Sequence, residues 1–257
     1  KAVPTPLIAV QTPNDLWCAD FKGQFRMQNK KYCYPLTITD YSSRFLLGCE
    51  ALESTRKDTA MVAFELTFKE YGLPKAIRTD NGVPFSSRSL LGLSKLSAWW
   101  MRLGIKLERI EPGHPEQNGR HERMHLTLKK EVTNPSGKNL LHQQEMLDGF
   151  RKEFNTQRPH EGLAMKFPAE IYKASTRVFP KELPELDYSL CDLTKKVSEN
   201  GSVHFQGKTK NFFLSEALSG QPIGMEHEQD GIWRVHFMDL ELGLLDEQTM
   251  KFTPIHP

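Results

Sequence analysis

Two aspartates and two glutamates pose the first chemical question in this sequence. Asp20 falls in the apolar stretch LWCADF, Asp80 closes the run KAIRTD, and Glu116 and Glu122 stand six positions apart in GHPEQNGRHERMH. Carboxylates gathered from separate elements make a cage of hard oxygen ligands, which suits Mg²⁺ or Mn²⁺. Two such ions about 3.5–4 Å apart activate an attacking hydroxyl and stabilise the leaving oxygen of an in-line displacement at phosphorus. Each acid also has an ordinary reading. Asp80, directly before Asn81 and Gly82, has the sequence of a turn former or helix cap. A metal ligand belongs on a rigid element, and Glu122 opens a helical stretch, whereas Glu116 lies between Pro115 and the turn pair Asn118-Gly119. Asp40, followed by Tyr41-Ser42-Ser43-Arg44, has a side-chain-bonded turn as its expected role rather than metal binding.

The elements that must position these acids follow from periodicity. LWCADFKGQF and KKYCYPLTITDYSSRFLLGCEA read as three extended stretches joined by short polar turns, an antiparallel meander. Thr55 and Asp58 have capping-box spacing, and Met61, Phe64, Phe68 and Tyr71 form one helical face that Gly72 and Pro74 terminate. A short strand then ends at Asp80. Leu93, Leu96, Trp100 and Leu103 space out a second helix, IKLERI is a further strand, and helices are expected over about 121–132 and 140–155. Strands alternating with helices predict an α/β fold. Residues 176–195 are proline-bearing and aperiodic, as in a linker. From 196 onward SVHFQG, NFFL, QPIGM, GIWRVHF and LGLLD alternate at regular intervals, which predicts a small five-stranded barrel.

Composition sets wider bounds. The chain has 257 residues, 38% hydrophobic and 26% charged, enough for a large domain with a small companion. No apolar run approaches the ~20 residues of a membrane span, so no membrane partner and a cytosolic setting are expected. Cys18, Cys33, Cys49 and Cys191 are scattered without C-x-x-C spacing, which disfavours a zinc finger or disulfide framework and predicts buried thiols. A net charge of +2 announces no polyanion partner. Its distribution is more telling: Lys22, Arg26, Lys30 and Lys31 meet no acid between 21 and 39.

LWCADF, IRTDNGVPFSS, PEQNGRHER and FNTQRPHEGLAMKFPAEIY, in this order, resemble the catalytic core of retroviral-integrase-like DDE transposases, the kind encoded by bacterial insertion sequences. The resemblance runs from about residue 13 to 172, and the tail is similar to the C-terminal domain of the same group. It implies an RNase H-like mixed five-stranded sheet flanked by helices over residues 1–175, a linker over 176–195, and an SH3-like barrel over 196–257. It also implies DNA cleavage and strand transfer with two Mg²⁺ or Mn²⁺ ions held by Asp20, Asp80 and Glu122. The familiar spacing of thirty-five residues would select Glu116. The pattern P-x-x-N-G-x-x-E selects Glu122, with Pro115, Asn118 and Gly119 in register and 41 residues between Asp80 and Glu122. The segment around 84–93 is expected to absorb the extra length.

Expected DNA contacts are Asn118, on an active-site loop, and His125 and Lys129, on the helix after Glu122. Arg158, Pro159 and His160 are expected to be structural, and Lys195, Lys196, Lys208, Lys210 and Arg234 to form a basic surface on the barrel. Transposon ends and target DNA are the implied partners, acted on by at least a dimer in a bacterial, nucleoid-associated setting. The chain starts at Lys1, so an upstream DNA-recognition segment is expected to be missing. Two rival readings remain at this point. One is a nuclease of the same fold that cuts without joining, and the other is a domesticated DNA-binding protein without turnover.

Overall fold

A computed structural model describes residues 9–87, 89–110, 119–206 and 210–255. The chain divides into two compact units, Pro4–Phe85 with Leu103–Lys181, and Ser86–Arg102 with Glu182–Pro257.

The first unit is built on a mixed sheet. Strands β1 (Leu16–Phe21), β3 (Tyr32–Asp40) and β4 (Leu46–Leu52) form the meander expected from their short turns, and β5 (Ala76–Thr79) and β6 (Lys106–Arg109) join in parallel. A two-residue strand, β2 (Phe25–Arg26), pairs with the start of β3 and makes the sheet six-stranded rather than five-stranded. Such a short strand carries too few residues to show a period-2 signal. Helix α1 (Lys57–Tyr71) buries Ala60, Ala63, Phe64 and Phe68, and Phe68 packs against Trp17 of β1 with ring centroids 5.8 Å apart. Its N-cap is Arg56 with no side-chain cap bond, so the capping box expected at Thr55 does not form.

Alternation decides what the other face of the sheet presents. Cys18 pairs with Thr39 and Asp20 with Thr37, so these four side chains share one face. Helices α3 (Gly119–Val132) and α4 (Leu140–Thr156) cover that face, and Met124, Leu128, Val132, Leu147, Phe150 and Phe154 meet Met27, Cys33 and Cys49 in one apolar cluster. Each fully buried side chain of this kind stabilises by roughly 1.5–3 kcal/mol.

The second unit is all-β apart from helix α2 (Lys95–Arg102) and short 3₁₀ turns. An antiparallel sheet runs β13 (Lys251–Pro254), β12 (Leu240–Asp246), β11 (Ile232–Phe237), β10 (Pro222–Gln229), β7 (Leu193–Lys196). A hairpin of β8 (Ser202–Gln206) and β9 (Lys210–Phe213) accompanies it. The five expected strands are present, and β7 and β13 are additional. Leu193–Lys196 was hidden in the expected linker because Leu-Thr-Lys-Lys alternates for only four residues. Arg102 at the end of α2 donates to Gln221 Oε1 at 2.7 Å, which ties the helix to this unit. All four cysteines are free; Cys191 is only half-buried, unlike the other three. Among the described residues no helix is long and apolar enough to cross a membrane.

Candidate active site

Asp20 sits near the end of β1, Asp80 directly after the last residue of β5, and Glu122 in the first turn of α3. The parallel pairing of β1 and β5 brings the ends of both strands to the same edge of the sheet. Asp20 is the most enclosed of the three, with its side chain 21% exposed, while Asp80 and Glu122 face solvent. Burial first, then the Asp80 carboxylate and then that of Glu122, push the Asp20 carboxyl up to about 7. The three acids therefore share one electrostatic neighbourhood, and the negative charge of Glu122 sits well at a helix N-terminus.

Asp80 also fulfils its ordinary role. Its Oδ1 accepts the Gly82 N–H at 3.0 Å, an Asx-type turn. A Cβ at Gly82 would lie 2.9 Å from Asp80 Oδ2, so only glycine leaves the carboxylate where it stands. Among the described residues no three His, Cys, Asp or Glu side chains gather closely enough to hold a metal ion. The donor chemistry nonetheless fits a hard divalent cation. Three carboxylates with like charge raising the proton affinity of the innermost one are what such a cation relieves.

A histidine pair supports Asp20 from below. His121 and His125, one turn apart on α3, lie in a T-shaped contact with centroids 4.7 Å apart. The Thr37 Oγ1 contacts the Asp20 carbonyl at 3.1 Å, His121 Nε2 at 2.6 Å and His125 Nε2 at 2.7 Å. A carbonyl can only accept, so the Thr37 hydroxyl proton goes to Asp20 and both imidazoles donate Nε2–H to the hydroxyl oxygen. His121 Nδ1 is then free to accept from Thr39 Oγ1 at 3.0 Å. Burial keeps both rings neutral, lowering His121 to about 3 and His125 to about 2.

His125, expected to contact DNA, is 8% exposed, with Nε2 on Thr37 and Nδ1 3.9 Å from Asp20 Oδ2, and packs beside the acid. His121 was missed; the available signal was its i,i+4 spacing from His125 on the face that meets the sheet. Lys129 is exposed and stands two turns beyond Glu122 on the same side of α3. Asn118 lies outside the described residues, as do Pro115, Glu116 and Lys208. Asp40 fills the turn role expected of it: Oδ1 accepts from Ser43 N at 2.7 Å and Ser43 Oγ at 2.6 Å, and Oδ2 from Asn14 N at 2.7 Å.

A sheet of this order, with acids at adjoining strand ends and on the following helix, defines the integrase class of α/β proteins. Residues 10–115 and residues 103–168 match two family models, each described as Integrase core domain. The chain also resembles proteins of bacterial insertion elements. It is 28% identical over 160 residues to the insertion element IS407 uncharacterized 31.7 kDa protein of Burkholderia multivorans, covering 62% of this chain and 55% of that protein. It is 28% identical over 166 residues to the insertion element IS476 uncharacterized 39.2 kDa protein of Xanthomonas euvesicatoria, covering 64% of this chain and 46% of that protein. The chain thus spans about half the length of the curated relatives it matches. Among solved structures, the HTLV-2 integrase catalytic core domain in complex with magnesium is similar at a TM-score of 0.50 and 17% identity, over 63% of this chain and 98% of that one. A simian T-cell lymphotropic virus intasome in complex with PP2A regulatory subunit B56 gamma is similar at 0.54 and 16%, over 94% of this chain and 82% of that one. These likenesses establish the RNase H-like integrase-core fold.

Proposed function

We propose that this chain is a transposase that cuts and joins DNA by transesterification, with Asp20, Asp80 and Glu122 holding two Mg²⁺ or Mn²⁺ ions. The observation that carries this reading is the parallel register of β1 and β5, which pairs Cys18 with Arg78 and so brings Asp20 and Asp80, each two residues further on, to the same end of adjoining strands, with Glu122 in the first turn of α3. When bound, the ions supply Lewis acidity at phosphorus and lower the pKa of the attacking hydroxyl. Asp20, pinned through its carbonyl by Thr37, fixes the innermost ligand, and Glu122 presents its carboxylate from a rigid helix. Lys129 and Asn118 contact the DNA backbone near the scissile bond, and no side chain becomes a covalent intermediate. The same reading places residues 1–175 in the catalytic domain and 196–257 in a second DNA-binding domain, with two or more copies acting on transposon ends and target in the bacterial cytoplasm.

The test uses labelled element-end and target oligonucleotides with Mg²⁺, scoring joined products longer than either substrate. Glu122→Gln should remove joining by at least about a thousandfold while circular dichroism stays unchanged, and Glu116→Gln should retain most of it. The reverse pattern would transfer the ligand role to Glu116. Cleavage without longer products would identify a nuclease.

A further inference from the structure

The Arg158-Pro159-His160 stretch takes no part in the carboxylate chemistry, yet it walls a cavity of about 550 Å³ together with the turn after β3 and the start of α3. Arg44, Arg120 and Arg123 line this cavity, and among the described residues none of the three is paired with a carboxylate. Arg120 is fixed at the rim: its Nη1 donates to the Tyr41 carbonyl at 3.0 Å and its guanidinium lies 4.2 Å from the Tyr41 ring centroid. Arg44 Nε and His160 Nε2 are both shut off from solvent with no hydrogen-bond partner among the described residues. Arg158 contributes wall but no free charge, because its Nη2 is bound to Glu131 and Glu153. Among the described residues the one carboxylate lining the cavity, Asp40, is 1% exposed, with Oδ1 spent on its own turn and Oδ2 on the Asn14 N–H. Three guanidiniums gathered around unpartnered buried donors, with no counter-charge, are an unbalanced arrangement that an oxyanion would balance.

We propose that this cavity is a phosphate-binding site in which Arg44, Arg120 and Arg123 supply the charge and His160 a neutral ring nitrogen. The phosphate is either a diester of a DNA strand or a free phosphate anion. Mutual repulsion agrees with the crowding: burial first, then Arg120 and Arg123, lower the Arg44 pKa. The sequence leaves room for it at Gly162, where a Cβ would collide with Arg44 Nη2. Gly162 thus gives the guanidinium its berth, a purpose for the glycine in RPHEGL that the carboxylates do not explain. The site does not depend on the metal-binding reading and would exist in a chain with no turnover.

Binding of inorganic phosphate by calorimetry, and of a duplex oligonucleotide by fluorescence anisotropy across a KCl series, tests the proposal on the full chain. Arg44→Gln should weaken phosphate binding about tenfold or more. Gly162→Ala should weaken it too, although it changes no charge, because the methyl group displaces the guanidinium. It also serves if Arg44→Gln does not fold. A DNA source predicts that Arg44→Gln lowers duplex affinity and reduces the log–log salt slope by about 1, with phosphate competing. A free-anion source predicts that duplex binding is unchanged while phosphate binding is lost. Glu122→Gln should keep phosphate binding in full, so loss of joining in that variant bears on the metal reading alone. Equal phosphate binding by wild type, Arg44→Gln and Gly162→Ala, with matching unfolding midpoints in phosphate-free buffer, overturns the proposal.

Discussion

Asp20 occupies a place that suits its neutral form, so the ligand role proposed for it is set against stability. Its carboxyl is pushed up to about 7, whereas in the unfolded chain it titrates near 3.9. Between those values the folded state binds more protons than the unfolded one, so the Asp20 contribution to stability falls as pH rises through this window. His121 and His125 act in the opposite sense. Held to about 3 and about 2 while the unfolded side chains titrate near 6.5, they make stability rise with pH over the acid range and are silent above it. Comparing wild type with Asp20→Asn cancels the histidine contribution, because both chains carry it. In chelator, Asp20→Asn should unfold at higher urea than wild type at pH 8, by on the order of 2–4 kcal/mol, and at nearly the same urea near pH 4. A difference that does not vary with pH would show that Asp20 is not strained by its neighbours. Saturating Mg²⁺ should narrow the gap at pH 8, since only wild type keeps all three carboxylates to bind it.

Helix α4 shows how an element can carry a motif without touching the chemistry. Strand β4 has a partner on one side only, β3, and α4 seals its open edge. Asn155 Oδ1 accepts from Leu46 N at 2.8 Å and its Nδ2 donates to Leu46 O at 3.0 Å; Gln144 does the same for Ala51 N at 2.7 Å and Cys49 O at 3.0 Å. Asn155→Ala should cost about 2–4 kcal/mol in urea unfolding, since it removes two bonds and orphans a buried N–H and C=O. Gln144→Ala, at a wetter site, should cost less, and equal losses would contradict the sealing role. The motif N-x-x-R-P-H was legible in the sequence, but its asparagine pairs with a residue 109 positions away, and no local spacing encodes that partner. The strands and helices were legible because alternation and helical period depend on side chains a few residues apart. The histidine pair was not, because Thr37 and Thr39, which decide its role, lie on a strand more than 80 residues earlier. The same limit hid the arginine cavity, whose lining comes from four separate stretches of chain.

At the scale of the whole molecule, a net charge of +2 leaves little attraction for DNA except where cations are concentrated. The second unit supplies less than its sequence suggested, since Arg234 is paired with Glu228 and Glu241. Strand transfer of two element ends demands two carboxylate sites within one assembly, and a closed homodimer is the simplest way to provide them. In such an assembly the copy that seats an end need not be the copy that cuts it. On the proposed reading, Glu122→Gln removes a ligand but leaves the DNA-contacting face of α3 intact, and Lys129→Ala leaves the ligands intact but weakens the hold on an end. Each variant alone should join poorly. Mixed at equal concentration and allowed to exchange subunits, they should recover joining of a single end to roughly tenfold above either alone, because a mixed dimer pairs one competent cutter with one competent holder at one of its two sites. Joining by the mixture that merely averages the two variants would mean that each copy holds and cuts its own end, and the dimer would then have no catalytic role.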